Sequence, residues 1–283
     1  MADVTFVDVL TDWQLDPAAL AVLGASSWAY FVGVRWLEAR GRHWPTTRRW
    51  LWGGAMLAGI LATQSGIGRY DTERLSVHMG QHLLLGMVLP LLAVCAAPVT
   101  LALQAGGPAT KRWLRSVLHS GVGRGLTHPV VTWLLFGGAM VVVYFTPLLE
   151  VTARNEPVHL LVHVHFVVAG SLFLAGLVAI DPSPRPLYPA AAMLAILLAV
   201  PFHAFLGLAM ASANEPLAPV AYPSMSDQRA AAALLWGIGE PFTLVVAAIV
   251  ARRWYVADQR EAARADRRAD ADAAMAPGPA VHR

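Results

Sequence analysis

Charge is what this sequence has least of. Asp, Glu, Lys and Arg make up 14% of its 283 residues, against about 25% in an ordinary soluble domain, while 57% of residues are hydrophobic and the mean hydropathy is +0.52. That excludes a soluble globular chain and indicates a polytopic membrane protein. Cysteine is nearly absent as well. Cys95 stands alone, which excludes an internal disulfide framework and any CxxC metal or redox motif. The opening residues, MADVTFVDVLTDWQLDP, are acidic and have no basic n-region, so no cleavable signal peptide is expected. There is no evident internal repeat, and no loop between apolar stretches is long enough to form a domain. The net charge of +3 and pI near 9.3 do not indicate a nucleic-acid partner. The basic residues fall in short inter-segment loops and the C-terminal tail, where membrane orientation explains them.

What is present is a series of apolar stretches: Pro17 to Trp36, Trp50 to Gln64, Ser76 to Leu103, Pro129 to Leu149, Pro157 to Ile180, Pro189 to Ala211, and Arg229 to Tyr255. These are the seven expected spans of an all-α membrane bundle; the second falls short of the roughly 20 residues a span needs and must extend into its flanks. Residues 1–16 form a short leading segment, residues 17–255 the transmembrane domain, and residues 256–283 an expected disordered tail rich in Ala, Arg and Asp. Seventeen of the 21 Lys and Arg residues fall on one side of this arrangement and four on the other. The positive-inside rule then puts the N-terminus outside and the C-terminus in the cytoplasm.

Histidine carries the chemistry. His78 and His82 stand four apart at the outer end of the third stretch, and His159 and His163 four apart at the outer end of the fifth. On helices each pair shares a face, so two pairs meet at matched depth and form a candidate metal site. His165 points about 200° away from His163 and cannot join that cluster. His203 and Glu240 lie about 15 Å below the outer end of the sixth and seventh stretches, where an ionisable group usually has a partner or a function. Met79 is a possible soft thioether ligand, whereas Met87 and Cys95 read as packing. His43, His119, His128 and His282 read as loop residues on the cytoplasmic side, and Asp227, Gln228 and Arg229 as the outer cap of the seventh helix.

A membrane zinc protease would require HExxH, and the run His78-Met79-Gly80-Gln81-His82 lacks the glutamate base. No enzymatic role is expected. A b-type haem would take one histidine from each of two helices. Copper suits imidazoles with a nearby thioether and leads the divalent affinity order. Zinc satisfies the same spacing.

Several separated motifs in order give this chain a family resemblance: HMGQHLLL and PVTLAL within Tyr70 to Leu103, LTHP at Leu126 to Pro129, HLLVHVHF at His159 to Phe166, DPSPRP at Asp181 to Pro186, HAFLGLAM at His203 to Met210, and DQ followed by Gly239-Glu240. Together they resemble the multi-pass CtaG family of cytochrome c oxidase assembly proteins, of the caa type, over roughly Leu20 to Tyr255. The unrelated single-span copper chaperone of the same name is not similar. Departures at Ala175, Gly176, Ala230 and Ala231 touch neither a histidine nor Glu240.

The resemblance implies a multi-pass protein of the bacterial plasma membrane, with haem-copper oxidase subunits as partners, that handles copper at its outer face and assists metal-centre insertion. His78, His82, His159 and His163 are the first-choice copper ligands; His203 and Glu240 are second-choice ligands or proton acceptors beneath them. A copper transporter or channel is the alternative function and predicts a polar path inward from Glu240. A b-type haem protein is the third reading.

Overall fold

The computed structural model describes residues 6–275, and among them every regular element is a helix; one isolated bridge, Trp13 to Ser65, is the only β pairing. A short α1 (Phe6–Thr11) leads to α2 (Pro17–Glu38). Asp16 starts α2 by accepting from the amides of Ala18 and Ala19, with Pro17 in the first turn where its missing N–H has no cost. α3 (Thr46–Gln64) and α4 (Gly66–Tyr70) follow. The side chain of Gln64 ties the end of α3 to the chain entering α2, accepting from Asp16 N at 2.9 Å and donating to Asp16 O at 3.3 Å.

The third apolar stretch is built from α5 (Leu75–Leu83), a π-helical turn (Leu84–Val88), α6 (Leu89–Cys95) and α7 (Pro98–Ala105). Its break has a backbone cause. Ala97 adopts a left-handed conformation at φ 56°, which is strained for a residue with a Cβ, and Pro98 restarts the helix. Asp181 caps the restart by accepting from Val99 N at 3.0 Å and Thr100 N at 2.8 Å. Next come α8 (Pro108–His119), α9 (Gly121–Leu126), α10 (Pro129–Trp133), a second π turn (Leu134–Gly138), α11 (Ala139–Phe145) and α12 (Leu148–Arg154). The chain bends by 81° between α11 and α12, at Thr146-Pro147, where proline disfavours helix in the preceding residue. α13 (Glu156–Val178), α14 (Pro189–Ser212) and α15 (Met225–Met275) complete the bundle.

Among the described residues five helical stretches are long and apolar enough to cross a membrane, and six if the bent pair from Pro129 to Arg154 is one span. α3, expected as the second span, is outside that set: Arg48 and Arg49 occupy its first turn, and its Ala55, Ala58 and Ala62 pack into the bundle. The segment expected to be a disordered tail is helical as far as Met275. Its Ala, Arg and Glu are strong helix formers, and they prolong a helix already nucleated in the bundle. Residues 276–283, with His282, lie outside the described residues.

One end of the bundle gathers the start of α5, the start of α13 and the loop between α14 and α15. Asp227 in the first turn of α15 does not cap its own helix; its carboxylate accepts from the backbone N–H and the hydroxyl of Ser76, capping α5. Gln228 bridges the loop and the end of α14, accepting from Leu217 N at 2.8 Å and donating to Met210 O at 2.9 Å. At the opposite end Arg253 donates to the carbonyls of Leu177 and Leu187, and Arg40 to that of Ala105. Between the ends, α13 presses on the first π turn. A Cβ at Gly170 would stand 2.1 Å from the Gly86 carbonyl oxygen, so a glycine is what permits this helix contact.

Candidate metal centre

The two helices that carry paired histidines meet with the pairs face to face. His78 and His82 on α5 have ring centroids 4.0 Å apart, and His159 and His163 on α13 have theirs 4.2 Å apart. Across the helices His78 stacks on His159 at 5.4 Å, and His82 meets His163 edge-on at 5.6 Å. His78 and His82 are fully buried and His159 is 8% exposed. The i,i+4 spacing read from the sequence thus produces a four-imidazole cluster.

The cluster's most informative feature is what its nitrogens lack. All four Nε2 atoms are buried without a hydrogen-bond partner. A buried polar group left unpaired costs about 1–3 kcal/mol, and here four are concentrated in one place. Ligand atoms of His78, His82 and His159 lie within 4.8 Å of one another, and so do those of Asp71, His159 and His163. The two sets share His159.

Three residues outside the histidine motifs complete the site. Asp71, in the turn before α5, is buried with its carboxylate 3.7 Å from His159 Nε2; burial pushes this carboxyl up to about 7. Tyr222, from the loop preceding α15, donates its hydroxyl proton to the Asp71 carbonyl at 2.7 Å and also lies 3.3 Å from His78 Nδ1. A carbonyl only accepts, so the hydroxyl proton is taken and His78 must donate from Nδ1. That leaves Nε2 as the lone pair facing the cluster. Tyr144 on α11 stands 3.1 Å from His82 Nδ1 and directs its hydroxyl at the Met79 sulfur, 3.6 Å away. Outer partners of this kind hold metal-binding imidazoles in one tautomer and orientation. Sequence reading missed all three residues. Asp71 was detectable as an acid seven residues before His78, but nothing in the spacing marks the tyrosines.

Other polar residues take separate places. His165 points out of the cluster, and its Nε2 donates to the Leu135 carbonyl within the second π turn at 3.0 Å. His128 caps α10 by accepting from Val130 N, and His43 and His119 are exposed. Met79 is fully buried beside Tyr144, whereas Met87 belongs to the apolar core. Cys95 is half-buried against that core.

His203 and Glu240 belong to neither metal-competent group among the described residues. His203 sits against Phe136 at 6.3 Å and next to Gly239, lining a cavity of about 20 Å³ with Met87, Phe173 and Thr243. His203 Nδ1 and Glu240 Oε1 are both buried without a partner. Phe166 packs 4.5 Å from His82, and Phe136 stacks on Phe173 at 4.9 Å beside His203.

Comparison with known proteins finds mycobacterial relatives and a family. Proteins of Mycobacterium bovis and Mycobacterium tuberculosis, both described as uncharacterised, are 35% identical over 286 residues, covering 95% of this chain and 43% of theirs. A Mycobacterium leprae protein, likewise uncharacterised, is 36% identical over 285 residues, covering 93% of this chain and 42% of its own. The chain therefore spans less than half the length of the curated relatives it matches. No solved structure matches it. The sequence model of the cytochrome c oxidase caa3 assembly factor matches residues 28–257, which includes every histidine of the cluster. The chain belongs to the cytochrome c oxidase caa3 assembly factor family.

Proposed function

We propose that this chain binds one copper ion as cargo at the four-histidine cluster, on the outer face of the bacterial plasma membrane, and assists its insertion into a haem-copper oxidase. What supports it is that His78, His82, His159 and His163 each bury an Nε2 without a hydrogen-bond partner, and that two overlapping trios, His78–His82–His159 and Asp71–His159–His163, bring ligand atoms within 4.8 Å of one another. Imidazole nitrogens with a thioether close by suit copper, and Met79 supplies the thioether at the cluster's edge. The two ligand sets share His159, so they serve one ion at a time.

In this reading the bundle has seven spans, α3 being the second, with the N-terminus outside. The opposition of Arg40, Arg253 and the basic α8 to the histidine end favours that orientation. The role is that of an assembly factor and not of an enzyme. His203 and Glu240 act as a proton-accepting station below the copper, since each retains an unpartnered buried atom.

Transport through the bundle is disfavoured by the aromatic Phe166 against His82 and Phe136 and Phe173 around His203, because a channel needs polar groups along its length. A haem between α5 and α13 is disfavoured by the cross-helix pairs His78–His159 and His82–His163, whose ring centroids are only 5.4 and 5.6 Å apart.

The test of role is deletion. Loss of the protein should lower cytochrome c oxidase activity while oxidase polypeptides are still made, and added copper should restore part of it by mass action. Undiminished activity in the deletion strain would refute the assembly role.

A further inference from the structure

One helix, α8, has no part in the site and packs only lightly on its chain neighbours α7 and α9. α8 separates its residues by face: Thr110, Trp113, Leu114, Val117 and Leu118 recur at helical spacing along one side, and Lys111, Arg112, Arg115, Ser116 and His119 along the other. Not one of its residues is buried. Trp113 remains 64% and Val117 45% exposed. An amphipathic helix whose apolar stripe is not covered by its own protein is completed by another surface.

Its neighbours in the chain identify that surface. α8 follows directly on α7, the end of the Leu75–Ala105 span, and α9 leads from it into the next apolar pair at Pro129. Both of its ends are therefore tethered at membrane ends. The polar face is basic, and α9 adds Arg124 beside the exposed apolar Val122 and Leu126. Basic residues flanking an apolar stripe that carries a tryptophan match an interface whose headgroups are anionic and whose interior is hydrocarbon.

We propose that α8 lies in the plane of the bilayer this chain spans, with Trp113 and Val117 immersed below the headgroups and Lys111, Arg112 and Arg115 held by anionic phospholipid. The helix then acts as an outrigger that fixes the tilt and depth of the Leu75–Ala105 span, whose far end carries His78 and His82. The proposal does not depend on whether copper binds.

The test uses the full chain with Cys95→Ser, spin-labelled at Val117→Cys or, separately, at Ser116→Cys. The protein is reconstituted in nanodiscs of phosphatidylcholine alone or mixed with phosphatidylglycerol. Collisional accessibility to oxygen and to an aqueous nickel chelate reads the depth of each label. The label at 117 should favour oxygen severalfold over the chelate and the label at 116 the reverse, with the contrast larger in the anionic discs. Neutralising Lys111, Arg112 and Arg115 to Gln should remove the lipid dependence while leaving the protein monodisperse. A label at 117 as open to the chelate as that at 116, in both lipids, overturns the proposal. So does a contrast that is indifferent to phosphatidylglycerol, since headgroup charge would then have no part.

Discussion

Tyr222 meets His78 with its oxygen and not its proton, because the proton is committed to the Asp71 carbonyl at 2.7 Å while His78 Nδ1 lies 3.3 Å away. One hydroxyl thus fixes both the tautomer of a cluster imidazole and the turn that carries Asp71. Tyr222→Phe removes both constraints at little change in volume. Copper affinity should fall by about 10–100-fold, the usual effect of losing such an outer partner, as measured by competition against a chelator of known affinity. An unchanged affinity would mean that the tyrosine is only a packing residue.

The contact between Gly170 and Gly86 gives a prediction about stability. Gly170→Ala places a methyl 2.1 Å from a backbone oxygen, which no side-chain rotation relieves, so α13 must move away from the π turn. A loss of about 1–3 kcal/mol is expected from such overpacking, seen as a lower thermal midpoint in detergent, with weaker copper binding because α13 carries His159 and His163. Gly176→Ala is the control: its Cβ would meet only Leu187 Cδ1 at 3.9 Å, and it should be neutral or stabilising.

The four cluster histidines were legible because helical periodicity is a local property: spacing by four on two apolar stretches was enough to face His78 toward His82 and His159 toward His163, and to turn His165 away. Asp71, Tyr144 and Tyr222 were not legible as a group. They come from a turn, a broken helix and a loop, and only the packing of those elements brings them together. Nor does sequence mark the π turns at Leu84–Val88 and Leu134–Gly138, which arise where one helix must accommodate another. The misassigned role of Asp227 has the same origin. Acid at a helix start normally serves its own amides, but here the neighbouring start of α5 lies within reach and takes the carboxylate.

Glu240 separates two roles for the lower polar spot. Glu240→Gln keeps size and hydrogen-bonding capacity and removes the carboxylate. If Glu240 accepts protons, the variant should assemble in the membrane at wild-type level yet fail to support oxidase activity in a deletion strain. Wild-type activity for Glu240→Gln combined with misfolding of Glu240→Leu would assign the residue to helix packing instead.

Orientation is open to reporter fusions. A reporter placed after Tyr255 should be cytoplasmic, and one inserted near Asn155 external, following the asymmetry of basic residues. The reverse pattern would put the histidine cluster on the cytoplasmic side and remove outer-face copper handling.

The most direct measurement of the central claim is elemental analysis of the purified protein after exposure to copper and removal of excess metal. Wild-type protein should retain copper stoichiometrically, and the double variant His78→Ala, His163→Ala should retain none while remaining folded and monodisperse. These two substitutions break both ligand sets at once, since one removes His78 from the first and the other His163 from the second. Copper at wild-type level in the double variant, or its absence from the wild type, would contradict the account.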